Sequence, residues 1–218
     1  MAEDSNLATK VAREAASSIL NVSETHYTHE IYIDDAAGIY DCDCSGFVEY
    51  LLSRTAPNQL APLRDLSTGN HDERPLAHDF YTFFSRLPTT ESAGKNGWLQ
   101  ITTLEHTTRG DIVAWNLHDS NVPGDTGHVF VVAEAPTQLI GGHDSSVTFA
   151  VKVYDSSSKE HFDDSRGDGN DFKGGVGSGT LHIQTDANGA PVRFRFSETT
   201  SYHMAPIAIG RIEPFPSG

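Results

Sequence analysis

Leu7, Val11, Ala15 and Ile19 recur every four residues, which predicts an amphipathic helix over 6–20 with Ser5 as its N-cap. A second helical face begins at Cys44 and carries Phe47, Val48, Leu51 and Leu52, ending near Ala56-Pro57. A third, shorter helix is expected over 76–86 around Phe80, Phe83 and Phe84, whereas 21–40 reads as irregular and 57–76 as a loop. Beyond about residue 110 the period changes to two. Asp111–Trp115, His128–Val132, Val147–Tyr154, Thr180–Thr185, Val192–Phe196 and Ile207–Ile212 read as strands. Asp186-Ala187-Asn188-Gly189 is a strong hairpin signal, and Pro214 stops the last strand. Residues 155–179 form a long Ser-, Asp- and Gly-rich stretch, expected to be a flexible solvated loop. Helices followed by consecutive strands predict an α+β fold with a mainly antiparallel sheet, built as one domain over 1–218. Its core would cover about 25–157 together with the C-terminal strands 180–212.

The chain has 218 residues, enough for one well-buried domain, and its net charge is −15. That balance argues against nucleic acid and against an anionic membrane surface, since both require a basic face. No apolar run approaches the roughly 20 residues that span a bilayer. The start, Met1-Ala2-Glu3-Asp4, lacks a signal-peptide pattern, so the chain as written is expected to be cytoplasmic, or periplasmic or secreted if a leader was removed. The two cysteines, Cys42 and Cys44, are too close for an unstrained disulfide and too few for a four-ligand zinc site. With no HExxH spacing among the histidines, neither a metal nor a cofactor is expected.

Cys44 stands where an irregular segment becomes a helix, and the partial positive charge and free N–H groups there favour a thiolate and can hold an oxyanion. An inert, buried cysteine is the alternative. A thiol nucleophile needs a base, and the base needs an orienting group. His128 opens the most apolar strand of the chain, and Asp155 ends the next strand, where a carboxylate would fix the imidazole tautomer. A satisfied strand-end histidine and a turn-starting aspartate remain the alternatives. His118, His143, His161 and His182 rank lower, lying in loops or at ordinary exposed positions.

Asp43-Cys44-Ser45-Gly46-Phe47-Val48 resembles the nucleophile motif of NlpC-type cysteine peptidases. Arg109-Gly110-Asp111-Ile112-Val113-Ala114-Trp115 resembles that family's Gly-Asp-hydrophobic strand, and Gly127–Val132 its His-Val-Gly-hydrophobic strand, in the family's order over about 25–157. The resemblance implies a papain-like fold in which N-terminal helices pack on a mainly antiparallel five- to six-stranded sheet. It implies Cys44 as nucleophile, His128 as base and Asp155 at the third polar position. It places Tyr27, with Tyr32 as alternative, at the substrate site, beside Asp43 and Ser45. The implied activity is hydrolysis of an amide through an acyl-enzyme, on a peptidoglycan stem peptide or muropeptide cut between D-Glu and the diamino acid. Phe130 departs from the motif, where the family usually has Gly, and 60–108 and 155–179 are longer than a minimal domain needs.

Two further classes stay open: an acyltransferase or hydrolase acting on lipids, and a non-catalytic binding module. An apolar groove beside Cys44 would favour lipids, and a polar cleft would favour peptides. Arg109-Gly110-Asp111 opens a strand and is discounted as an integrin tripeptide. The glycine run 174–179 lacks the Lys-Ser/Thr of a phosphate loop, and Asp163, Asp164, Asp168 and Asp171 lack the spacing of an EF-hand.

Overall fold

The computed structural model describes residues 6–67, 74–89, 97–117, 126–139 and 147–215. Helix α1 spans Leu7–Asn21 and buries Val11, Ala12 and Ala15. Its cap is Asn6, whose side chain accepts from the N–H groups of Ala8 at 2.9 Å and Thr9 at 3.4 Å; the expected cap, Ser5, lies outside the described residues. Helix α2 spans Cys44–Thr55 and α4 Ala77–Phe84, close to expectation. Helix α3, Pro57–Ser67, occupies the first part of the stretch read as a loop. Proline suits its first position, where no N–H is needed, and Leu60 and Leu63 anchor it in the core.

Strands β1 (Glu24–His26), β2 (Tyr32–Asp34) and β3 (Ile39–Asp41) form a three-stranded sheet, order β1-β3-β2, within the segment read as irregular. Nine more make the main sheet: β4 (Trp98–Ile101), β5 (Ile112–Asn116), β6 (Gly127–Val132), β7 (Thr137–Gln138), β8 (Val147–Ser157), β9 (Gly175–Thr185), β10 (Pro191–Arg195), β11 (His203–Met204) and β12 (Ile207–Ile212). Their order is β11-β10-β9-β8-β6-β5-β12-β4, with β7 on β8, and every pairing is antiparallel.

This overturns the expected papain-like, NlpC-type arrangement of helices on five or six strands. Two sheets are present, one of them nine-stranded, and sheet dominates over the four helices of the described residues. The extra width has a physical origin. Strands β8 and β9 pair in register over eleven residues each, from Val147↔Thr185 to Ser157↔Gly175, and β10 and β11 extend the sheet past them.

The main sheet is apolar on both faces. On β5 and β6, Ile112, Ala114, Val129 and Val131 face the helices, while Val113, Trp115, Phe130 and Val132 belong to a second cluster with Phe149, Val151, Leu181 and Phe194. Trp115 of β5 stacks on Phe194 of β10 at 3.8 Å although three strands separate them along the sheet, so the sheet curls back over this second core. Phe130, the departure from the expected glycine, is fully buried there and meets Trp115 edge-on at 5.8 Å.

Asp111 is fully buried. It accepts from Arg211 of β12 at 2.9 and 2.8 Å and from the Thr108 N–H at 2.7 Å, which makes the Arg-Gly-Asp tripeptide a structural corner. Gly110 beside it has φ +89°, and a Cβ there would lie 1.9 Å from the carbonyl oxygen of Ala8 in α1. Gly110→Ala is therefore expected to destabilise the protein by about 2–4 kcal/mol, read as a lowered urea midpoint at unchanged m-value. No helix among the described residues is long and apolar enough to cross a membrane.

Candidate active site

Cys44 is the first residue of α2, and Asp43 is its N-cap. The Asp43 carboxylate has four donors: the Gly46 N–H at 2.7 Å and Ser45 Oγ at 3.0 Å on Oδ1, and Arg74 Nη2 at 2.6 Å and His29 Nδ1 at 3.0 Å on Oδ2. Burial works against its charge, but Arg74 and these hydrogen bonds outweigh it and hold the carboxyl below the usual range. Ser45 Oγ in turn accepts from Arg74 Nη1 at 2.7 Å. Asp43 and Ser45 thus form a buried clasp around Arg74 at the helix start, a residue that the sequence did not single out.

The Cys44 thiol is buried, and burial, followed by the nearby Asp43 charge, pushes its pKa up; backbone hydrogen bonds from Val129 and Ser45 pull the other way. Desolvation is the largest influence and disfavours the thiolate. The bond from Val129 places the sulfur beside β6, one residue along from His128.

His128 and Asp155 lie on the same face of neighbouring strands, because Val131↔Tyr154 and Val132↔Val153 are paired across β6 and β8. His128 Nε2 donates to Asp155 Oδ2 at 2.7 Å. A carboxylate only accepts, so the ring proton sits on Nε2, and Nδ1 is left without a hydrogen bond among the described residues. Asp155 is fully buried. Burial opposes its charge, but His161, Arg166 and the hydrogen bonds from His128 and His161 hold its pKa well below the usual carboxylate value.

Cys44 and His128 line one cavity of about 510 Å³, together with Tyr27, His29, Asp43, Ser45, Leu76, Trp115, Leu117, Thr126, Gly127, Ser157, Ser158, Lys159 and Phe196. Tyr27 packs edge-on against His29 at 5.7 Å, so the structure brings together Cys44, His128, Tyr27, Asp43 and Ser45, with Asp155 behind His128. The alternative tyrosine, Tyr32, sits on β2, largely exposed and away from the cavity. His182 stacks on Phe162 at 4.0 Å, outside the site, and His118 and His143 lie outside the described residues.

His161, ranked low as a loop histidine, is at the centre. Its Nε2 donates to the same Asp155 oxygen at 2.8 Å, while Arg166 Nη1 donates to Asp155 Oδ1 at 3.0 Å. Arg166 also grips Asp164 through Nε at 2.7 Å and Nη2 at 2.9 Å. His128, Asp155 and His161 have the donor types of a zinc site. However, donors bound tetrahedrally to zinc would stand roughly 3.3 Å apart. The 2.7 and 2.8 Å separations are those of charge-assisted hydrogen bonds, and a guanidinium on the same carboxylate opposes a dication.

No protein-family model and no solved structure matches the chain. It is similar to the Uncharacterized protein R653 of Acanthamoeba polyphaga mimivirus, at 26% identity over 188 residues that cover 78% of this chain and 77% of the viral protein.

Proposed function

We propose that the protein is a cysteine hydrolase that cleaves an amide bond through an acyl-enzyme, on a peptidoglycan stem peptide or related γ-linked peptide. The observation that carries this reading is the convergence on one cavity of Cys44, at a helix start, and His128, whose far nitrogen is held by the buried Asp155. The free Nδ1 of His128 is the base. It takes the thiol proton as sulfur attacks the carbonyl, which suits a cysteine whose pKa burial raises. The Gly46 N–H is already used by Asp43 Oδ1, the Phe47 N–H by the Asp43 carbonyl and the Ser45 N–H by the Cys44 sulfur, which leaves the N–H group of Cys44 to stabilise the oxyanion. His128 then protonates the leaving amine and activates the water that releases the acyl group.

The substrate class follows the resemblance of residues 43–48, 109–115 and 127–132 to NlpC-type peptidases. The cavity wall supports a peptide over an acyl chain, since Tyr27, His29, Ser157, Ser158 and Lys159 offer polar groups around its apolar patch. The test is incubation with defined muropeptides carrying a D-Glu–diamino acid γ-linkage, followed by mass spectrometry. A new amine at that bond is expected. If no muropeptide is cut but a panel of acyl esters is, the lipid-acyl reading replaces this one.

A further inference from the structure

Strand β9 begins Gly175-Val176-Gly177-Ser178-Gly179, so every second residue of its first half lacks a side chain. These glycines face β8 at the catalytic end: Ser157↔Gly175, Asp155↔Gly177 and Val153↔Gly179. The bare strip lies beside Asp155, and the segment 158–174 folds back to fill it. A Cβ on Gly177 would lie 2.6 Å from Arg166 Cγ and 2.9 Å from its Nε, and a Cβ on Gly179 would lie 2.6 Å from His161 Cβ. Neither glycine has a left-handed backbone, so the requirement is for space alone.

The segment is pinned as well as fitted. Strand β10 pairs with β9 only from His182 to Thr185, and 162–165 takes over the vacated edge. Phe162 exchanges backbone hydrogen bonds with Thr180 at 3.1 and 2.7 Å, and the Ser165 N–H donates to the Ser178 carbonyl at 2.8 Å. Asp164 accepts from the His161 N–H at 2.8 Å and the Arg166 N–H at 2.9 Å, which fixes both side chains at their root.

From this geometry we infer that His161 and Arg166 are positioning residues of the reaction centre, holding Asp155 in the orientation that presents His128 to Cys44. The inference rests on the reading of Cys44 and His128 as nucleophile and base. A terminal carboxylate torsion is broad and nearly two-fold, so one bond from His128 does not fix it. Donors on both oxygens, His161 on Oδ2 and Arg166 on Oδ1, set the carboxylate plane. His161 is there for its Nε2–H: its Nδ1 is buried without a hydrogen-bond partner among the described residues, a cost that an apolar ring of the same size would avoid.

The test compares His161→Phe, which fills the space without a donor, with His161→Gln, which restores an N–H, and with His128→Ala. The substrate-independent readout is the rate of Cys44 alkylation by iodoacetamide from about pH 5 to 9. His161→Phe is expected to slow alkylation near neutrality roughly tenfold or more, with Gln returning it to within about threefold of wild type. Wild-type kinetics in a folded His161→Phe, or no rescue by Gln, overturns the inference. If His128→Ala alkylates like wild type, the nucleophile–base reading itself fails, a separate outcome. Should the Phe variant not fold, 15N NMR of the wild-type histidines decides: Nε2–H tautomers with slowly exchanging protons on both His128 and His161 support the assignment, and an Nδ1–H tautomer on His161 overturns it.

Discussion

On the proposed mechanism, Cys44→Ser is expected to lower amine release from a muropeptide substrate at least about a thousandfold, the loss that follows when a nucleophile is removed from a site whose members act as a unit. The reason is specific to this pocket. Burial and the Asp43 charge disfavour the thiolate, so the proposed attack depends on handing the thiol proton to His128. A hydroxyl in that place is a far poorer acid than a thiol, so its proton passes much less readily to His128. The substitution is nearly isosteric, and the hydroxyl inherits the Val129 and Ser45 N–H groups, so the melting free energy should move by no more than about 1 kcal/mol. Steady-state kinetics beside a thermal melt separates the two effects. Comparable turnover by the serine variant would remove Cys44 from the mechanism.

Asp155→Ala has the largest expected effect on stability. It leaves the Nε2–H groups of His128 and His161 and one face of the Arg166 guanidinium without their acceptor, in a site where all three side chains are at most 7% exposed. Breaking a buried charged network in this way costs about 3–5 kcal/mol, or roughly 10 °C in melting temperature for a chain of this size. Asp155→Asn keeps an acceptor but turns an NH2 group toward donors, and should cost less. The pH dependence has a definite sign. The folded-state pKa of Asp155 lies well below its ordinary value, so its contribution is complete above about pH 4 and is lost as pH falls through the depressed value. Acid titration of the wild type should therefore show a stability loss below about pH 4 that is shallower in Asp155→Asn.

The parts of the site legible in the sequence were those carried by regular periodicity. Cys44 opened a helical face, His128 opened an apolar strand and Asp155 closed an alternating one, and those elements meet as their patterns imply. His161 and Arg166 were not legible, because no local period marks them. Their place depends on an alternating-glycine strand some fifteen residues downstream, and that alternation is the one sequence signal that would have found them.

The fold shows the same division. Strands β1 to β3 have three residues each and largely polar faces, too short to display alternation, and α3 carries Pro57 and Pro62 in a sequence that reads as turn. The nine-stranded width came from pairing partners distant in sequence, which a strand-by-strand reading does not see. Asp43 and Ser45 line the cavity and also form a clasp for Arg74, a residue whose neighbouring segment lies outside the described residues.

The curl of the main sheet also governs when the centre comes into being. Phe194 reaches back to stack on Trp115, whose ring stands 5.1 Å from that of His128, and Phe196 closes the cavity wall. Strand β12 must then slot between β4 and β5, more than ninety residues earlier in the chain. Contacts of such long sequence separation form slowly and late. During synthesis Cys44 leaves the ribosome about 150 residues before the wall that completes its cavity, when chains grow at about 5–20 residues per second. A nascent or truncated chain would thus carry Cys44 without the walls of its cavity, which are complete only with the final strands.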